Sequence, residues 1–289
     1  MEWLRFLGTM RSAVTVEGLF PGRPSTKSAP GGSQEAVVRA SVKQRLSHEH
    51  QWFQFSHHSL PVTNLKRPIS ILHLTDVHIR QHSADLETIA RMLRDVRPDL
   101  TLITGDIVTK GWTEEAVAFF LDALPPAPLG RFAVMGNWEY WTNALPQPWK
   151  ARLQEHGVTL LREEWQDVGP VVVAGTDDQW AGTPDPVSFC ARLPKNRPII
   201  TMTHSPDLFP QLCTPDVALV LAGHTHGGQV RLPRLGAIWS PKGTGHYVGG
   251  WYRHQSTHLF VSRGLGWSVA PLRLYCPPEL AWITLTPAP

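Results

Sequence analysis

The sequence predicts an α/β fold built on a largely parallel sheet, and three observations carry that expectation. Apolar, β-branched runs recur at 68–74, 99–104, 131–135, 198–203 and 217–222, as buried strands do. The first three are separated by segments with helical apolar spacing, and short helical crossovers imply parallel neighbours. Every one of these runs leads into a polar, ligand-type residue, and the C-terminal ends of strands are where open α/β sheets carry their sites.

Composition narrows the class. At 289 residues the chain can bury one substantial core. A formal charge of +3 without any Lys/Arg block argues against a nucleic-acid partner. No run of about 18 apolar residues is present, so no transmembrane helix is expected. The first residues are interrupted by Glu2, Arg5, Arg11 and Glu17 and lack a signal-peptide core. Trp3, Leu4, Phe6 and Leu7 suggest at most a peripheral membrane contact. A cytoplasmic monomer, peripheral to the inner membrane at most, is the expectation. The three cysteines, Cys190, Cys213 and Cys276, have no metal-type spacing and read as reduced.

Residues 21–34 are rich in Pro, Gly and Ser, so 1–34 is expected to be a flexible leader. One catalytic domain is expected over 35–289. Within it, 35–42 and 51–55 read as short strands of a first hairpin, with His57 and His58 in the loop that follows. The strand at 68–74 leads into Asp76 and His78. Ser83 is the expected N-cap of a helix over 85–97, whose Leu86, Ile89, Ala90, Leu93 and Val96 fall on one face. The strand at 99–104 leads to Asp106. A helix over 114–123 follows, and the strand at 131–135 leads to Asn137. The second half has less helix: helices at 148–156 and 186–193 and strands at 158–161, 171–174, 198–203, 217–222, 259–262, 272–275 and 280–286. Asp177 and Asp178 follow one of these strands.

The organising stretch is 219–230. Its apolar run stops at Gly223 and is followed by His224, Thr225, His226 and a Gly-Gly pair. In extended backbone, alternation turns Thr225 away from both imidazoles, so the two rings can face one cavity. Asp76 and His78 repeat that spacing, and Asp106, Asn137 and His204 complete seven N/O donors at five strand ends. A donor set without thiolate suits Mn, Fe, Zn or Mg. Seven donors exceed one zinc-type site and suit two divalent metal ions sharing a carboxylate. Cations about 3.5–4 Å apart clamp the attacking and leaving oxygens of phosphoryl transfer.

The ordered set Asp-x-His, Gly-Asp, Gly-Asn, His and Gly-His-x-His, spanning about 70–286, resembles the calcineurin-like metallophosphoesterase superfamily. The strings LTDVH, GHTHGGQVRLP, SRGLG and PLRLYCPPE resemble its bacterial branch. That branch includes a cell-wall-associated phosphodiesterase and UDP-2,3-diacylglucosamine hydrolases of lipid A synthesis. The resemblance implies a four-layer α/β/β/α sandwich of two mixed β-sheets flanked by helices. It also implies that Asp76, His78 and His226 hold one ion, that Asn137, His204 and His224 hold the other, and that Asp106 bridges them. A metal-bridging hydroxide would attack phosphorus, with Asp106, Asn137 and His224 at the catalytic centre.

One position departs from the family pattern. Where the family reads Gly-Asn-His, this chain has Trp138, which cannot carry a proton. Either another imidazole (His73, His82, His246 or His254) takes the role, or the leaving group departs unaided. The expected substrate is therefore an activated phosphodiester or a pyrophosphate link, small or lipid-linked, a UDP-diacylglucosamine-like molecule included. Trp138 is a candidate to stack on that substrate, and Arg263 and Arg273 are candidates to bind its phosphate. The alternative is a metal-binding scaffold with weak or vestigial chemistry.

Overall fold

The computed structural model describes residues 53–268 and 271–289, all within one unit, Arg45–Pro289. The expected leader and the strand at 35–42 lie outside the described residues. Two six-stranded mixed sheets organise the rest.

The first sheet contains β1 (Gln54–Val62), β2 (Ile69–Leu74), β3 (Leu100–Ile103), β4 (Arg131–Ala133), β5 (Thr159–Leu160) and β14 (Glu279–Pro287). Its order is β1-β14-β2-β3-β4-β5. From β2 to β5 all neighbours are parallel, while β14 runs antiparallel to β2 and parallel to β1. The second sheet contains β6 (Glu164–Asp167), β7 (Val172–Gly175), β8 (Ile199–Met202), β9 (Val217–Ala222), β12 (Gly250–His254) and β13 (Thr257–Val261), in the order β12-β13-β9-β8-β7-β6. Arg231–Leu232 (β10) and Gly236–Ala237 (β11) form a small separate hairpin.

Side-chain alternation along the strands decides the layering. Ile69, Ile71, Leu100, Leu102 and Phe132 of the first sheet share one cluster with Val173, Ile200, Met202, Leu219, Leu221 and Phe260 of the second. The two sheets therefore stack face to face. The outward residues Leu72, Leu74 and Ile103 pack on α1 (Ala84–Leu93), α2 (Glu114–Asp122) and α4 (Pro146–Glu155) through Leu86, Ile89, Val117, Phe120 and Leu153. On the far side, Ala174, Val220 and Ala222 pack on α5 (Pro186–Ala191) and α6 (Phe209–Leu212) through Phe189, Phe209 and Leu212. This is the α/β/β/α sandwich implied by the motif resemblance.

Several local expectations are corrected. Of the strand expected at 51–55, Gln54 and Phe55 open a longer strand, β1, that pairs in parallel with β14, while residues 51 and 52 lie outside the described residues. His57 and His58 lie in that strand, not in a loop. His58 is half-buried, and its ring stands 4.6 Å from Phe260. Ser83 does cap α1, accepting from Leu86 N at 3.2 Å. The helix stops at Leu93, short of 97, where the backbone tightens into i→i−3 bonds from Arg94 N to Arg91 O and from Val96 N to Leu93 O. Arg97 then donates to the carbonyls of Arg94 and Val96. The expected strand at 272–275 is only an isolated bridge between Leu274 and Val230. Among the described residues, no helix is long and apolar enough to cross a membrane.

His73, one of the four alternative imidazoles, is buried between the sheets and bonded at 2.9 Å to Thr104 Oγ1. Burial pushes its pKa from 6.5 down to about 3. The unfolded chain therefore takes up a proton that the folded chain refuses. Stability is expected to fall as pH is lowered from 6.5 toward about 3. Urea midpoints at several pH values for wild type and His73→Gln check this. The variant should show the shallower pH slope, and equal slopes would contradict the assignment.

Candidate metal centre

The seven donors converge where β2, β3, β4, β8 and β9 end. Five of them adopt positive φ: Asp76, His78 and Asp106 at 52°, His224 at 68° and His226 at 50°. Non-glycine residues pay for the left-handed region in steric energy and persist there when surroundings fix them, often at functional sites. The imidazoles of His224 and His226 are thus aimed by left-handed backbone on either side of a right-handed Thr225, at φ −80° and ψ −21°. The expected extended alternation is not the device used. Thr225 fixes the turn by accepting from Gly227 N and donating to Val248 O.

Two glycines let the loops approach. A Cβ at Gly136 would lie 2.3 Å from Asp106 Oδ1, and one at Gly223 would lie 2.0 Å from Thr75 Oγ1. Any other residue at either position would force the strand ends apart.

The donors form two buried groups, Asp76/His78/His226 and Asp106/His204/His224. In the first, His78 Nε2 lies 3.0 Å from His226 Nε2, which is 3.3 Å from Asp76 Oδ1. In the second, His204 Nε2 lies 3.2 Å from Asp106 Oδ2, 3.1 Å from Asn137 Oδ1 and 3.2 Å from His224 Nδ1. Asp106 Oδ2 is also 3.7 Å from His78 Nε2.

Backbone and hydroxyl groups aim these atoms. His204 Nδ1 donates to Thr104 O at 2.7 Å and His224 Nε2 donates to Lys242 O, so both rings turn their other nitrogen inward. Asp76 accepts from Thr75 Oγ1 at 2.8 Å and from His224 N at 2.9 Å. Asp106 Oδ1 accepts from Trp138 N at 2.8 Å, leaving Oδ2 to face the imidazoles.

The electrostatics are those of a cation receptor. Burial raises Asp76, and burial with the charge of Asp76 raises Asp106 to about 6. Burial, then His204 and Arg273, hold His78 well below its usual value, and burial holds His224 down to about 3. Burial also pulls on His204, but Asp106, Asp76 and Asp178 overcome it and hold its pKa well above the usual imidazole range. Buried carboxylates, the neutral imidazoles of His78, His224 and His226, a His204 that would give up its proton to a metal, and an amide oxygen within contact distance form a set that fits divalent ions.

A family model described as calcineurin-like phosphoesterase matches residues 69–228. The chain is a calcineurin-like phosphoesterase. It is 33% identical over 225 residues to the uncharacterized metallophosphoesterase YkuE of Bacillus subtilis (strain 168), covering 74% of this chain and 78% of that protein. It is 31% identical over 249 residues to phosphodiesterase YaeI of Escherichia coli (strain K12), covering 81% and 88%. As a member of this family the chain is a metal-dependent phosphoric ester hydrolase.

In this phosphoesterase Trp138 is half-buried, its indole edge-on to His78 at 5.8 Å and to Trp141 at 5.6 Å. Arg263 is occupied elsewhere, donating to Glu279 Oε1 at 3.0 Å and to Gln54 Oε1 at 2.7 Å. Arg273 is wholly buried and donates to the carbonyls of Arg263, Gly264, Gly266 and Cys276. It braces the SRGLG loop, with Nη2 3.4 Å from His226 Nδ1. No hydrogen bond links His73, His82, His246 or His254 to the seven donors among the described residues. Asp177 accepts from Tyr140, Arg162 and Thr183, and Asp178 accepts from Trp180 N and Ala181 N.

Sequence reasoning overlooked Glu139. It sits in α3 (Asn137–Trp141), a short helix that had not been expected. Its buried carboxylate accepts from Asp106 N at 2.9 Å, Gly136 N at 2.8 Å and Ile107 N at 2.6 Å. It thereby ties the Asp106 and Asn137 loops together. Its position three residues after Gly136 is the spacing at which an acidic side chain reaches back to a helix N-cap, which was the available signal.

Proposed function

We propose that this phosphoesterase is a two-metal phosphodiesterase or pyrophosphatase. Asp76, His78 and His226 would hold one ion, Asn137, His204 and His224 the other, and Asp106 would bridge them. The observation that carries this reading is Asp106 Oδ2, 3.7 Å from His78 Nε2 and 3.2 Å from His204 Nε2. When bound, such ions supply Lewis acidity toward phosphoryl oxygens and acidify water for attack. The chain's own residues do the rest. Glu139 fixes the backbone that presents Asp106. The Thr104 and Lys242 carbonyls hold His204 and His224 in one tautomer. Trp138 walls the His78 side with an apolar face.

Trp138, which cannot carry a proton and stands edge-on to His78, supports a leaving group that departs without one. Activated diesters and pyrophosphate links meet that condition, and the name of the relative YaeI agrees with the diester class. A nucleotide-lipid substrate of the UDP-diacylglucosamine kind is one member of that class. Turnover of bis(p-nitrophenyl) phosphate against an alkyl phosphate monoester, with added Mn, tests the reading. The diester should be preferred, and faster monoester turnover would overturn it.

A sharper result is expected from Trp138→His. An added imidazole can protonate a poor leaving oxygen, so alkyl ester turnover should rise by about 10²-fold relative to the p-nitrophenyl diester. An unchanged ratio would show that protonation at this position is not what limits the alkyl ester.

A further inference from the structure

Beside the candidate centre lies a cavity of about 340 Å³ between the start of α1 and the SRGLG loop. His78 is common to both, so the cavity adjoins the metal centre. That volume is within the range of small-ligand sites. Arg80, His82, Ser83 and Trp267 line it. Among the described residues of the lining, Asp85 is the one carboxylate beside the guanidiniums of Arg80 and Arg273, so these residues together carry net positive charge.

Arg80 differs from the other two arginines near the site. Arg263 is paired with Glu279, and Arg273 is bonded to backbone carbonyls. The Arg80 guanidinium is exposed, 5.8 Å from the ring centroid of Trp267, and no carboxylate lies within ion-pair distance among the described residues. A guanidinium lying over an aromatic face is held in place while its N–H groups stay available. The residue before Arg80 is anchored, since Ile79 N donates to Ile107 O at 2.8 Å and Thr109 N donates to Ile79 O at 3.0 Å. His82 is held by Glu87 at 3.0 Å and by the edge of the Phe119 ring at 4.6 Å. A fixed cation and an aromatic surface beside a phosphoryl-binding centre suit a second phosphate, for which the planar guanidinium fork is matched.

Building on the phosphoesterase reading, we propose that this cavity binds a phosphate-bearing arm of the substrate, an anion beyond the phosphorus attacked, with Arg80 as the contacting cation. The substrate class then narrows to pyrophosphate-linked molecules or diesters carrying a second phosphate.

The test pairs two measurements on the metal-loaded full chain. Calorimetric titration with α,β-methylene-ADP, uncleavable at its bridge, reads the affinity for a second phosphate. Turnover of bis(p-nitrophenyl) phosphate, whose arms carry no additional charge, reads the centre itself. Arg80→Ala should weaken analogue binding roughly 10-fold to 100-fold, the loss expected for one charge-assisted contact. Diester turnover should stay near wild type, and Arg80→Lys should recover part of the binding. Equal analogue affinity in wild type and Arg80→Ala would overturn the proposal, as would parallel loss of binding and diester turnover. A wild-type chain without diester turnover would contradict the phosphodiesterase reading instead, while a difference in analogue affinity would still support the cavity.

Discussion

Asp106→Asn is expected to lower kcat on bis(p-nitrophenyl) phosphate by about 10³-fold or more, or about 4 kcal/mol of barrier. The substitution preserves shape. Its amide oxygen can still accept the Trp138 N–H that Oδ1 accepts now at 2.8 Å. What disappears is the charge at Oδ2, the carboxylate oxygen within 4 Å of an imidazole in each donor group, 3.7 Å from His78 and 3.2 Å from His204. An amide in that position either turns a weaker neutral oxygen inward or opposes the ions with an NH₂ donor. The fold should survive, because Asp106 N remains bonded to Glu139. Steady-state kinetics with thermal melting separate the effects: lost turnover with a melting point close to wild type is expected. Turnover within tenfold of wild type would remove Asp106 from the reaction.

Glu139→Ala is expected to act on stability first, costing about 3–5 kcal/mol. Its carboxylate satisfies the buried N–H groups of Asp106, Gly136 and Ile107, and each buried donor left without an acceptor costs about 1–3 kcal/mol. For a chain of this size that corresponds to a melting point lower by about 10 °C. Burial, with the charge of Asp106 beside it, raises the Glu139 pKa to about 7. The metal-free protein therefore holds it partly neutral near pH 7, and Glu139→Gln should cost less than the alanine change. Differential scanning calorimetry of both variants checks the order. An alanine variant melting within about 2 °C of wild type would show that this carboxylate does not tie the two loops.

The central strands were legible because a strand covered on both faces must be nearly all apolar, as Val172–Gly175 is and as Leu100–Ile103 is apart from Thr101. The edges were not. Glu164–Asp167 is exposed at every residue and carries no apolar period, and Gly250–His254 is only partly covered. The segment 272–275 misled for the opposite reason. Its apolar alternation reflects a loop wrapped around the buried Arg273 guanidinium, not a ladder.

The seven donors were visible as residue types at strand ends, but the means of their convergence was not. Positive φ at Asp76, His78, Asp106, His224 and His226 is imposed by loops from distant parts of the chain. Glu139 and the carbonyls of Thr104 and Lys242 act through the main chain, which leaves little mark on side-chain pattern. Arg263 and Arg273 have the chemistry of phosphate ligands, yet sequence could not reveal that Glu279 and a set of loop carbonyls occupy them.

The most direct measurement is the number of divalent ions per chain, counted by elemental analysis after loading with Mn and removing unbound ion. Two ions per wild-type chain, falling when His204 or His226 is replaced by Ala, are expected from a donor set split between two groups around Asp106. A wild-type chain that retains fewer than one ion while folded would contradict the two-metal centre at its root.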